Sequence, residues 1–143
     1  MMPEADAVVD TSFAIALLNT RDAYHQKAVD TYARCKRLLL PQPALTELAF
    51  LLERRSVNLA FVAFLERLGA SYFEVVELSA ADLARVAEVL RQYADTRIDF
   101  VDVCVMVLAE RFELETVLTL DRRDFSLFRP RHCAAFTLLP EVL

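Results

Sequence analysis

Ala7-Val8-Val9-Asp10-Thr11-Ser12-Phe13 is the stretch whose reading decides the fold. Three small or β-branched apolar residues make a short strand, and an aspartate ends it. Thr11 and Ser12 then offer a helix cap before a helical segment over residues 13–19. The chain goes on to repeat this alternation of a short buried strand with a longer helix. Residues 22–35 have the spacing of an amphipathic helix, with Ala23, Ala28, Val29 and Tyr32 toward one face. Leu38-Leu39-Leu40-Pro41 is a second strand, stopped by its proline. Leu45, Leu48, Ala49 and Leu52 follow at helical spacing, with Pro43 suited to a first turn.

Residues 56–68 predict a further helix ended by Gly69, the only glycine in the chain. Residues 72–78 form a third strand rich in aromatic and β-branched residues. Ser79 caps a helix over residues 81–94, and Asp99 caps one over residues 100–112. Residues 116–120 and 135–139 supply a fourth and a fifth strand. Strands that alternate with helices predict an α/β protein with a parallel sheet covered on both faces. A length of 143 residues suits one domain over 1–143.

Bulk composition excludes several classes. No apolar run approaches the ~20 residues of a membrane-spanning helix, and MMPEADAVVD lacks the basic start of a secretory leader. A cytoplasmic protein is expected. Three widely spaced cysteines, Cys35, Cys104 and Cys133, read as core or half-buried thiols, not as a zinc site or a disulfide frame. His25 and His132 have no nearby partner and read as packing or surface residues. Hydrophobic residues reach 56% of the chain, a surplus that predicts contact with another chain.

Net charge is −5, yet basic residues cluster at Arg34-Cys35-Lys36-Arg37, Arg54-Arg55, Arg122-Arg123 and Arg129-Pro130-Arg131-His132. Of the 21 acids, four stand in apolar surroundings or at strand ends: Asp10, Glu47, Asp102 and Asp121. Burying an ionised carboxylate is costly unless it is paired or bound to metal. In an open α/β sheet, ligand sites form beyond the carboxyl ends of the strands. Asp10 and Asp121 lie at such ends, and Glu47 and Asp102 lie early in helices that begin at the same edge. Gathered there, four carboxylates suit Mg²⁺ or Mn²⁺, which prefer oxygen ligands and activate water for phosphodiester hydrolysis.

Taken in order, Val9-Asp10-Thr11-Ser12, Pro43-Ala44-Leu45-Thr46-Glu47-Leu48, Phe100-Val101-Asp102-Val103 and Leu118-Thr119-Leu120-Asp121-Arg122-Arg123-Asp124-Phe125 resemble PIN domains. The VapC-type toxins of toxin–antitoxin pairs are the nearest resemblance, and it covers almost the whole chain. It implies a three-layer α/β/α sandwich around a central parallel sheet of five short strands. It also implies an Mg²⁺- or Mn²⁺-dependent endoribonuclease that forms a homodimer and is held inactive by a cognate antitoxin. By matching position, Asp10, Glu47, Asp102 and Asp121 inherit the catalytic and metal-binding roles, supported by Thr11, Ser12, Thr119 and Asp95. Arg122, Arg123, Arg129 and Arg131 are the expected RNA-binding residues. Val103 departs from the small residue usual after the third acid.

Two other readings compete. A phosphotransferase with Asp10 as nucleophile would want an aspartate two residues on, where Ser12 stands. A non-catalytic PIN-like module would use the acidic pocket to bind a basic partner segment, without turnover.

Overall fold

The computed structural model describes residues 4–141. Five strands form one sheet: β1 Ala7–Val9, β2 Leu38–Pro41, β3 Phe73–Val76, β4 Thr116–Leu118 and β5 Thr137–Leu139. The order is β3-β2-β1-β4-β5, and every pair is parallel. Between them run α1 Thr11–Leu18, α2 His25–Ala33, α3 Gln42–Arg54, α4 Asn58–Glu66, α5 Ala80–Gln92, α6 Phe100–Arg111 and α7 Arg123–Leu127. The chain steps outward from β1 through β2 to β3, then returns to the other side of β1 for β4 and β5. The crevice between the carboxyl ends of β1 and β4 is therefore the topological switch point.

Alternation along the strands builds two cores. Ala7, Val9, Leu38, Leu40 and Leu118 point to one face and pack with Phe13, Ala28, Leu48 and Phe64 from α1 to α4. Val8, Leu39 and Val117 point to the other and pack with Val86 and Val89 of α5, most of α6, and Phe125. The expected three-layer α/β/α arrangement is thus present, each apolar residue at its core position contributing about 1.5–3 kcal/mol through burial. Helix α6 is buried all along residues 101–109, which explains why it is the most apolar stretch of the chain. Val103 belongs to that fully buried run.

Several boundaries differ from expectation. Helix α1 begins at Thr11, and its cap is Asp10 itself, whose carboxylate accepts from the Thr11 N–H. Helix α2 begins only at His25, because residues 22–24 form a turn pinned by the Tyr24 N–H donating to Asp22 Oδ1 at 2.8 Å. Strand β4 stops at Leu118, although the Thr119 N–H still donates to Leu139 O of β5 at 3.0 Å. The short helix α7 was not anticipated. Gly69 lies in a 3-10 turn over Leu68–Ala70 and has no left-handed backbone.

The left-handed positions are Ser56, Arg97 and Glu113, with φ of 58°, 55° and 55°. Two of them close helices by the same device. After α3, Val57 N bonds Leu52 O at 2.9 Å and Ser56 N bonds Glu53 O at 2.9 Å. After α6, Leu114 N bonds Ala109 O at 2.9 Å and Glu113 N bonds Glu110 O at 3.2 Å. These are Schellman closures, and the carbonyls they satisfy keep a non-glycine residue in that conformation.

No helix among the described residues is long and apolar enough to cross a membrane. On α4, Phe64 is buried and Phe61 packs partly against the core, but Leu59, Val62 and Leu65 lie on the surface.

Candidate active site

Asp10 leaves β1 in extended conformation and starts α1, so its carboxylate is fixed at the switch point. Three donors hold it. Thr11 N donates to Oδ1 at 2.8 Å, and Ser12 Oγ donates to Oδ2 at 2.7 Å. Thr119 Oγ1 lies 2.9 Å from the same Oδ2 and 2.8 Å from the Asp121 carbonyl, so one hydroxyl proton serves two acceptors. The early end of β4 makes this possible, since Thr119 turns its side chain across to β1. Ser12 in turn accepts from the Leu120 N–H at 2.9 Å, tying α1 to the loop after β4.

Asp102 stands in the first turn of α6, which Asp99 caps by accepting from Val101 N and Asp102 N at 3.0 and 3.2 Å. Its carboxyl meets those of Asp10 and Asp124. A hydrogen bond between two carboxyl groups requires a proton on one of them. Accordingly Asp102 is pushed up to about 10, first by burial, then by the Asp10 charge and by the hydrogen bonds to Asp10 and Asp124. Burial also raises Asp10, and its hydrogen bonds, that to Asp102 foremost, oppose the shift. Glu47 sits in the second turn of α3. Burial raises it most, and the charges of Asp99 and Asp10 push the same way.

These groups share one open cleft of about 510 Å³, lined also by Thr11, Ser12, Asp121, Asp124, Tyr24, Arg55 and Arg123. Asp10, Glu47, Asp102 and Asp121 are thus brought together from four separate parts of the chain. Asp121 is exposed at the rim, whereas Asp10 and Asp102 are buried. Thr11, Ser12 and Thr119 surround Asp10, while Asp95 lies exposed in a 3-10 turn outside the lining. Among the expected RNA-binding arginines, Arg123 alone lines the cleft, and it is engaged by Asp124 at 2.7 Å and the Thr96 carbonyl at 2.5 Å. Arg122 reaches the Glu141 carbonyl, Arg129 is exposed elsewhere, and Arg131 pairs with Glu88.

Asp124, near the end of the fourth motif, is buried at the centre. It accepts from the Asp99 N–H at 3.1 Å besides binding Arg123 and Asp102. Its place follows from α7, the helix that sequence spacing does not reveal. Tyr24 and Arg55 are further lining residues that motif order could not supply. The histidines bond to main-chain carbonyls, His25 Nδ1 to Ala16 O at 2.8 Å and His132 Nε2 to Leu114 O at 2.7 Å, well matched to a packing role. All three cysteines are free thiols, Cys104 buried and the other two half-buried.

Among the described residues, no three His, Cys, Asp or Glu side chains are already gathered into a coordination shell. The acids lean on hydroxyls and on one another instead. The donor set nevertheless fits a hard divalent cation: every donor is oxygen, and two buried carboxyls touch with no cationic side chain between them. Thr11 Oγ1, buried beside Glu47, makes no hydrogen bond of good geometry and is one more oxygen at the same place.

Comparison with known proteins gives the family. The family model described as "PIN domain" matches residues 7–129. A relative named Ribonuclease VapC26, from Mycobacterium tuberculosis, is 31% identical over 134 residues, covering 93% of this chain and 99% of its own length. The solved structure of Mycobacterium tuberculosis VapC20, described as a Sarcin-Ricin loop cleaving toxin, superposes with a TM-score of 0.75 at 26% identity, over 83% of this chain and 92% of that one. VapBC2 from Rickettsia felis, solved bound to a DNA fragment from its promoter, shares the fold with a TM-score of 0.65 at 14% identity, over 92% and 96% of the two chains. With its acids at the switch point and a family match over most of its length, the chain belongs to the PIN domain family.

Proposed function

We propose that this protein is a divalent-metal-dependent endoribonuclease, the toxin of a toxin–antitoxin pair. The observation that carries the proposal is the contact of two buried carboxyls, Asp10 and Asp102, at the switch point, with Glu47 beside them. The name of the 31%-identical ribonuclease and the description of VapC20 as a cleaving toxin support the reaction class.

Asp10, Glu47 and Asp102 are the residues that would hold Mg²⁺ or Mn²⁺, with Asp121 assisting from the rim. When bound, such an ion supplies an acidified water and neutralises phosphate charge. The chain's own residues prepare for it. Ser12, Thr119 and the Thr11 N–H orient Asp10, so its carboxylate needs no rearrangement. Asp102, which holds a proton against Asp10, would give it up to solvent when the ion binds, leaving both carboxylates as anionic ligands. His25 and His132 are spent on main-chain carbonyls, so neither acts as a general base.

Partners follow from the same reading. RNA is the substrate, and a cognate antitoxin is the inhibitor; a neighbouring structure, a toxin–antitoxin complex from Klebsiella pneumoniae, supports a partner of that kind. The exposed apolar residues of α4 suit contact with an antitoxin or with a second copy of the chain in a homodimer. Three free thiols are consistent with work in the reducing cytoplasm.

The test is cleavage of total cellular RNA by purified protein in Mg²⁺ or Mn²⁺, against EDTA. Asp10→Asn and Asp102→Asn are each expected to lose more than the ~100-fold that loss of an outer-shell partner costs a metal site. Cleavage that persists in EDTA or in either variant would sink the metal mechanism. Intact protein that cleaves neither transfer nor ribosomal RNA, and binds no metal by calorimetry, would leave a non-catalytic module whose acidic cleft receives a basic segment.

A further inference from the structure

Helix α3 sends Glu47, Leu51 and Arg55, spaced four residues apart, into the acidic cleft. Ile15, Leu51 and Leu120 add apolar surface to that lining, in which Tyr24 also stands. The chain has four tyrosines, and three are packed against other rings. Tyr32 stacks on Tyr72 at 4.8 Å, and Tyr93 lies 5.8 Å from Phe128. Among the described residues, Tyr24 alone of the four has no ring partner, and it is 39% exposed. It is nonetheless held in place. Asp22 N bonds Asn19 O at 2.9 Å, Tyr24 N bonds Asp22 Oδ1 at 2.8 Å, and the next residue, His25, bonds Ala16 O at 2.8 Å. The Tyr24 ring thus stands unstacked, on a pinned backbone, in a cleft lined by carboxylates.

Arg55 is its counterpart. Arg123 is already occupied by Asp124 and Thr96. Arg55 makes only an Nη1 bond to its own helix, to Leu51 O at 3.2 Å. It forms no ion pair among the described residues, although it lines a cleft holding seven carboxylates. Its remaining N–H donors are available to an anion that enters from solvent.

We infer that Tyr24 and Arg55 form a nucleotide subsite beside the acids, the ring stacking on an unpaired base and the guanidinium taking a neighbouring phosphate. In a duplex both faces of each base are covered by its neighbours, and a ring inside a concave cleft cannot reach them. An unpaired base offers its face to an aromatic ring whatever its identity. Arg55 adds a backbone contact without base information. The inference rests on the ribonuclease reading, and assigns substrate guidance to residues other than Arg122, Arg129 and Arg131.

Binding and cleavage are measured side by side. Fluorescence anisotropy follows a labelled unpaired oligoribonucleotide, and the same strand annealed to its complement, titrated with Asp10→Asn protein in Mg²⁺ so that the RNA stays intact. The single strand is expected to bind at least tenfold more tightly than the duplex. Tyr24→Ala in that background should weaken single-strand binding roughly 5- to 150-fold, and Tyr24→Phe should restore it. Arg55→Ala should weaken binding and lower the salt slope by about one. Equal binding of the two RNAs, no binding of either, or Tyr24→Ala binding as before would overturn the subsite. Cleavage of cellular RNA by protein with Asp10 intact separates the two readings. Metal-dependent cleavage of paired and unpaired RNA alike, unchanged by Tyr24→Ala, removes the subsite and keeps the nuclease; no cleavage at all removes the nuclease.

Discussion

Asp102 is held between two other carboxyls and the apolar body of α6, so metal-free protein must keep a proton there. An aspartate in the unfolded chain titrates near 3.9. With the folded group up at about 10, the folded state holds the extra proton between those values, and stability falls as pH rises through that window. Thermal unfolding in EDTA is therefore expected to show Tm dropping from pH 5 to pH 9. Asp102→Asn should flatten that dependence and raise metal-free stability at pH 8 by on the order of 1–3 kcal/mol, the scale of an unmet buried polar group. A Tm that rises with pH in EDTA would contradict the contact with Asp10. Ser12→Ala tests the other side of the pair. It removes one donor to Asp10 and the acceptor for Leu120 N–H, and a 10- to 100-fold loss of cleavage, about what an outer partner is worth, is expected in a kinetic assay. Both acids were legible in the sequence because each interrupts an apolar run at an element's end. Asp124 was not, because its burial depends on how α7 folds back over α6.

Helix ends are where sequence and structure part company. Ser79 and Asp99 are visible caps because Ser and Asp satisfy free N–H groups through their own side chains. Ser79 closes a full capping box with Asp82, so Ser79→Ala, remote from the cleft, should cost about 1 kcal/mol by urea unfolding and leave cleavage unaltered. Carboxyl ends are set by main-chain bonds instead. Gly69 looked like a terminator, yet Ser56 and Glu113 occupy the left-handed positions, where composition carries no sign of it. Glycine pays less there, and Glu113→Gly is expected to stabilise by about 1 kcal/mol, read as a higher urea midpoint at constant slope. A fall in the midpoint would mean that the Glu113 side chain contributes something its backbone does not.

The whole molecule places its chemistry by topology. Strand alternation and the two apolar faces were readable from periodicity, and so was the edge at which Asp10, Glu47, Asp102 and Asp121 meet. Tyr24 and Arg55 were not, since a turn and the far end of a helix reach the cleft only through packing of whole layers. Metal binding to this shared site should stabilise the entire fold. At 100 times its dissociation constant, Mg²⁺ or Mn²⁺ is expected to add about 2.7 kcal/mol, visible as a concentration-dependent rise in Tm that EDTA reverses and Asp10→Asn lacks. The partners that orient Asp10 also lie far apart along the chain, Thr119 being 109 residues after it. At a synthesis rate of about 5–20 residues per second, roughly 5 to 20 s separate the emergence of the first acid from that of the residues that complete its setting. A growing chain still short of Thr119 has no assembled centre, so whatever RNA it acts on is out of its reach until the residues after β4 have emerged and folded against β1.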